Sequence, residues 1–128
     1  MVNLFNIALW RDTDHNLKQP VDIAEDFIGI NIATSEDPKC DDYLLARLQD
    51  LEIQHVRMDF SYCSFNSHAE RLLQKLIDKN YSVMLDLFPP LPEAEMMLRD
   101  RAVQDRWREF LIDVFEKYGQ TVEIFEIG

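Results

Sequence analysis

The sequence predicts an α/β chain of parallel βα units, of the (β/α)8-barrel type, in which only a first (βα)3β portion is present. Short apolar strands alternate with longer amphipathic helices, the pattern of parallel βα units. Ile28 to Val56 spans 28 positions and Val56 to Val83 spans 27, a weak internal repeat that favours either a barrel or a doubly wound open sheet. The cofactor folds built on open sheets need glycine-rich phosphate loops, and neither GxGxxG nor GxxxxGK[ST] occurs. The first strand is followed instead by Thr34-Ser35-Glu36-Asp37-Pro38.

The first strand is expected over residues 27–33, and its helix from about Asp41, with Leu44, Leu45, Leu48 and Leu51 on one face. The second strand, residues 55–61, leads to a helix opened by Ser67-His68-Ala69-Glu70. This is a capping box, in which the Ser and Glu side chains satisfy each other's backbone donors. Leu72, Leu73, Leu76 and Ile77 turn toward the sheet. The third strand, residues 82–88, runs into the loop Pro89-Pro90-Leu91-Pro92, which cannot donate to a sheet. A third helix carries Val103, Trp107, Phe110, Leu111, Val114, Phe115 and Tyr118, and Trp107 and Tyr118 belong to the core. Gly119 stands where a left-handed helix-ending residue is expected, and residues 123–128 form the fourth strand. Met96 and Met97 fall in the loop after the third strand as a hydrophobic plug.

At 128 residues the chain is long enough for one core but short of the about 200 that a complete eight-stranded barrel needs. Residues 1–26 are expected to be a capping segment across the barrel bottom, without chemistry of its own. Residues 27–128 are expected to be the first half of a barrel, incomplete in this chain, in the sense that strands beyond Gly128 would complete it. With 47% apolar residues and three glycines the chain should fold. Twenty-four acidic against 13 basic residues give a net charge of −11, which disfavours nucleic acid and anionic membranes and suits neutral or cationic ligands. Cys40 and Cys63 have neither CxxC spacing nor a framework count and read as reduced, structural thiols. The apolar start of the chain has no basic leader or cleavage site, and no run approaches about 20 apolar residues, so a cytoplasmic location is expected.

Chemistry in βα folds gathers at the carboxyl ends of strands, which here offer Asn31 and Thr34, Arg57, Asp59 and Ser61, Asp86 and Phe88, and Glu126. Arg57 and Asp59 share a face because strand side chains alternate. A charged pair in an apolar strand demands pairing or hydrogen bonding. It is either a structural ion pair bridging strands or a ligand-facing group, and Asp86 is open to turn capping as well as function.

The run from Leu48 through His55-Val56-Arg57-Met58-Asp59 to Tyr62 resembles the first helix and second strand of clan A glycoside hydrolases, families 5 and 39 and their relatives. Ile28-Gly29-Ile30-Asn31-Ile32 is similar to their first strand, and Phe125-Glu126-Ile127-Gly128 to their fourth. The chain departs from the pattern at Glu52-Ile53, where a glycine is common. The resemblance implies a glycoside hydrolase acting on or binding carbohydrate through two carboxylates about 5 Å apart in a retaining enzyme. The fourth strand of the family continues into an Asn-Glu pair, so the acid/base and nucleophile would lie beyond residue 128 and this portion alone would be inactive. By the resemblance Arg57 orients the nucleophile as a supporting catalytic residue, Asn31, Asp59, Asp86 and Phe88 contact sugar, and Glu126 supports them. No cofactor and no metal ligand is expected. Two alternatives stand beside this. Asp59, Asp86 and Glu126 from successive strand ends suit a divalent-metal-dependent barrel, although Arg57 opposes a cation there and the histidines lack ligand spacing. A non-catalytic half-barrel would instead pair with a partner, or self-associate, through the exposed carboxyl-terminal edge strand.

Overall fold

The computed structural model describes residues 29–128. The predicted capping segment and the first two residues of the predicted first strand lie outside them. The described elements are β1 (Gly29–Ile32), α1 (Pro38–Asp50), β2 (His55–Phe60), a 3-10 turn (Tyr62–Ser64), α2 (His68–Asp78), β3 (Ser82–Leu87), α3 (Leu91–Met96), α4 (Arg101–Tyr118) and β4 (Ile124–Ile127). The strands form one parallel sheet in the order β1-β2-β3-β4. The fold is thus mixed α/β with sequential winding, and among the described strands the order never reverses.

Strand periodicity decides what each face does. Val56, Met58 and Phe60 on β2 and Val83, Leu85 and Leu87 on β3 are buried in one core with Leu45 and Leu48 of α1 and Leu72, Leu73 and Leu76 of α2. Phe110, Val114 and Tyr118 of α4 join the same core. The three α2 leucines are fully buried, each contributing about 2 kcal/mol of apolar transfer. Phe110 organises an aromatic cluster over the end of β2, with ring centroids 5.0 Å from Tyr62 and 5.3 Å from Trp107, and Trp107, packed against the core, and the buried Tyr118 sit as the sequence predicts.

Helix ends follow local chemistry. Asp37 caps α1 by accepting from the Lys39 N–H at 2.9 Å, with Pro38 in the first turn, so the helix starts three residues before the predicted Asp41. Ser67 caps α2 by accepting from the Ala69 N–H at 3.1 Å, and Glu70 accepts from the Asn66 N–H at 2.6 Å. The capping box is therefore shifted by one residue from its expected reciprocal form. The other Glu70 oxygen is drawn to Lys117 Nζ at 2.6 Å and to the Tyr118 hydroxyl, which ties the first turn of α2 to the last turn of α4. Burial alone would raise the Glu70 carboxyl, yet the hydrogen bonds from Lys117, Tyr118 and the Asn66 N–H hold it below the usual range. Burial and the neighbouring Glu70 push the Tyr118 phenol up.

Several expectations are corrected. Leu51 is 65% exposed, because it is the helix-ending residue of α1 and no longer follows the helical stripe. Gly119 is right-handed (φ −61°); it matters for space, since a Cβ there would lie 2.5 Å from the Phe115 carbonyl oxygen. The left-handed positions are Glu52 (φ 56°), Asn66 (φ 55°) and Asn80 (φ 60°). Glu52 and Asn80 close α1 and α2 identically. The Ile53 and Tyr81 N–H groups return to the Leu48 and Leu76 carbonyls at 3.0 Å, and Glu52 and Asn80 donate to Gln49 and Ile77. The proline-rich loop enters the short helix α3, with Pro92 in its first turn where a missing N–H costs nothing. Met96 ends that helix at 46% exposure, so it plugs nothing. Cys40 and Cys63 are free and exposed rather than packed. Among the described residues no helix is long and apolar enough to cross a membrane.

The fold also holds a buried charge that the sequence pattern does not reveal. Asp41 is 2% exposed and accepts from Arg71 Nε at 2.7 Å, with Lys75 Nζ at 3.4 Å, and Arg71 also donates to the Ser35 carbonyl at 2.8 Å. This joins α1, α2 and the β1–α1 loop. Arg71 chiefly, and Lys75 after it, hold the Asp41 carboxyl below its ordinary value against the opposing effect of burial.

Two measurements follow from these local features. Glu52→Gly should stabilise the fold by about 1 kcal/mol in urea unfolding, because a left-handed non-glycine residue carries a penalty of that order. A folded-state carboxyl depressed below its unfolded value adds stability that is present above about pH 4 and is lost as pH falls through the folded value. Asp41→Asn should therefore lose about 2 kcal/mol at pH 7 and show a flatter acid limb than the parent in pH-dependent unfolding.

Candidate functional site

The second sheet face is the one the described helices leave uncovered. Its residues fall into three rows by register: Gly29, His55 and Ser82 at the amino end; Asn31, Arg57, Met84 and Ile124 in the middle; Asp59, Asp86 and Glu126 at the carboxyl end. The lower rows are small or apolar apart from His55, Asn31 and Arg57. The upper row is wholly acidic.

Arg57 reaches from the middle row into the acidic one. Its Nε donates to Glu126 Oε2 at 2.9 Å, its Nη2 donates to Asp86 Oδ2, and its Nη1 stands 3.6 Å from Asp59 Oδ1. One side chain thereby links β2, β3 and β4. The Glu126 hydrogen bond first, then the charges of Asp86, Glu126 and Asp59, raise the Arg57 pKa against partial desolvation, so it is a fixed cation. Asp86 is the best covered of the three acids at 16% side-chain exposure, while Asp59 and Glu126 are more than half open. One cation among three carboxylates leaves the row with an excess of acceptors.

Of the residues named from sequence, Arg57, Asp59, Asp86 and Glu126 are brought together. Asn31 is on the same face beside Arg57 in the register, exposed and outside the ion-pair cluster. Phe88 lies just past β3, half-buried, with its Cβ next to the place that a Cβ on Gly128 would take. The strand-bridging ion pair weighed from the sequence is thus present, and its groups remain open to solvent. Among the described residues no set of three or more His, Cys, Asp or Glu side chains is arranged to hold a metal ion. Arg57 is paired with all three carboxylates that the metal-dependent alternative named.

Two features were missed. Below the cluster, a concavity of about 240 Å³ is lined by Gly29, His55, Arg57, Ser82, Met84 and Ile124, among others. Beyond the end of β2, the Ser61 Oγ, the Tyr62 hydroxyl and one Glu93 oxygen are buried with no partner among the described residues. Burial, then Glu93, raises the Tyr62 phenol. Neither feature has a signature in spacing, because the concavity is assembled from strand register and the buried polar groups come from residues far apart in sequence.

Removing the central cation should expose the repulsion it masks. Arg57→Ala should lower the thermal midpoint at pH 7, with the loss shrinking in high salt and below about pH 4, where carboxylates protonate. Equal destabilisation at every pH and salt concentration would show that Arg57 acts only through packing. Comparison with protein-family models, with curated proteins and with solved structures found no match for this chain.

Proposed function

We propose that residues 29–128 are the carbohydrate-binding portion of a glycoside-hydrolase-like (β/α)8 barrel, with a sugar lying across the carboxyl ends of β2, β3 and β4. The observation that carries this is Arg57 fixed among Asp59, Asp86 and Glu126 at the ends of three successive parallel strands. Sequential strand order supports it, since a barrel winds in that way whereas a doubly wound sheet reverses at a switch point. Sugars present hydroxyl donors around an apolar ring. The row supplies spare carboxylate acceptors, Asn31 an amide, and Phe88 an aromatic surface.

Hydrolysis requires a carboxylic acid that hands a proton to the leaving oxygen and a second carboxylate that attacks the anomeric carbon. Asp86 and Glu126 are both engaged as acceptors by Arg57, the opposite of a proton donor's part. In this reading the acid/base and the nucleophile belong to barrel strands after Gly128. Arg57 orients the nucleophile through Nη1, whose N–H groups make no hydrogen bond among the described residues.

A second reading, a non-catalytic half-barrel that pairs with a partner, draws on β4. It is a sheet edge among the described strands, with Ile124 46% and Ile127 56% exposed. The two readings part in one experiment. Titrating isotope-labelled chain with neutral and amine-bearing oligosaccharides should move the amide signals of Arg57, Asp59, Asp86 and Glu126. Asp86→Ala should weaken that binding at least about tenfold, the loss of one charge-assisted hydrogen bond. Aryl glycosides should not be cleaved. No shift with any sugar, together with concentration-dependent sedimentation, would leave the pairing reading standing instead.

A further inference from the structure

The short helix α3 sits the wrong way round. Of its six residues only Glu93 is partly covered, while Leu91 and Met96, and Leu98 just past its end, are 78%, 46% and 92% exposed. A helix laid on a protein normally turns its apolar side chains inward and its charges outward. The contact beside Glu93 is no better satisfied. The Tyr62 hydroxyl, which feels the Glu93 charge, and one Glu93 oxygen are buried with no hydrogen-bond partner among the described residues. Buried polar groups left unpaired favour any rearrangement that admits water.

Few links hold the segment in this seat. Arg106 Nη2 of α4 donates to Glu93 Oε1 at 2.9 Å, and Gln104 Nε2 donates to the Met97 carbonyl at 2.8 Å. The turns at its two ends close on its own carbonyls, the Glu93 and Ala94 N–H groups on Pro90 and the Arg99 and Asp100 N–H groups on Met96. Leu91, Met96 and Leu98 neither belong to the core nor pack against it. The segment leaves the carboxyl end of β3, the strand that carries Asp86 and runs into Phe88. In a barrel completed by further strands, such a βα loop stays outside the enclosed sheet face, at the mouth.

We infer that residues 89–99 form a flap, latched on α4 by Glu93 and Arg106, that leaves this seat and closes over the carboxyl ends of the strands when a sugar is bound there. Without ligand, apolar cover would desolvate Asp59, Asp86 and Glu126, so the flap stays on α4 with Leu91, Met96 and Leu98 in water. A sugar that gives its hydroxyls to those carboxylates presents an apolar ring face outward, which the three side chains then cover. Lifting also opens the Tyr62 hydroxyl and the Glu93 carboxylate to water. The ligand of the flap rests on the sugar-binding reading, and its opening does not.

Hydrogen exchange of the full chain, read by mass spectrometry, tests opening and closing separately. Without ligand, Arg106→Met removes the latch and should speed exchange in the flap by about threefold to tenfold while the strands stay unchanged. Tyr62→Phe removes a buried hydroxyl that has no partner and should slow exchange in the flap, because the seated state loses its unpaired group. A saturating glucose tetramer or glucosamine tetramer should slow exchange in the flap several-fold. The Arg106→Met chain should bind that tetramer more tightly than the parent, since less of its population is latched. Flap exchange that neither variant moves overturns the inference, and so does faster exchange in Tyr62→Phe. A tetramer that shifts the Arg57 and Asp86 amide signals yet leaves flap exchange as it was overturns it too. A tetramer that shifts no signal overturns the sugar-binding reading and closure with it, whereas the two variants decide opening in either case.

Discussion

Everything in this structure depends on how two central strands divide their side chains. β2 and β3 alternate without a break: Val56, Met58, Phe60 and Val83, Leu85, Leu87 point into the helical layer, and Arg57, Asp59, Met84 and Asp86 point the other way. A slip of one residue in either strand would drive Arg57 or Asp86 into the core and three apolar side chains into water. The register is therefore fixed by the same pattern that assembles the cluster. The face that carries the charged cluster is a consequence of the core.

Within that frame, the charges serve two different ends. Asp41 is enclosed and held by Arg71 and Lys75, so its energy is spent on joining α1 to α2 and nothing is left over for a ligand. Arg57 is placed differently. Its partners come from three strands, two of them are more than half exposed, and the acids outnumber it. A structural pair would be satisfied with one carboxylate. The surplus acceptors, open to solvent at strand ends, set this cluster apart from the enclosed Asp41 clamp.

How much was legible in the sequence follows from the range over which each signal acts. Strand alternation and helical stripes are local, so β2, β3, the buried α2 leucines and the common face of Arg57, Asp59, Asp86 and Glu126 could be placed from residues alone. The Asp41 pair joins residues thirty positions apart on two helices, and no periodicity marks it among the many solvated charges. Backbone sign was misjudged for a related reason. Glycine marks left-handed helix ends on average, yet this chain puts Glu52 and Asn80 there and keeps Gly119 right-handed, where contact with the Phe115 carbonyl rather than φ restricts the residue. Barrel closure was beyond reach as well: four sequential strands are shared by every singly wound sheet, and closure is a property of strands that must meet across the open face.

The two ends of that face differ in what they tolerate. At the carboxyl end, each added cover must supply hydrogen-bond donors to Asp59, Asp86 and Glu126 or leave them desolvated at several kcal/mol. In the lower two rows, Met84 and Ile124 gain from apolar contact, while the polar groups beside them are Asn31, Arg57, His55 and Ser82. A single apolar lid over the whole face would therefore be opposed by its upper third, and a sugar would gain little from its lower two. The two ends of the face therefore favour different surroundings: apolar contact below, and above, groups that bring hydrogen-bond donors to the carboxylates.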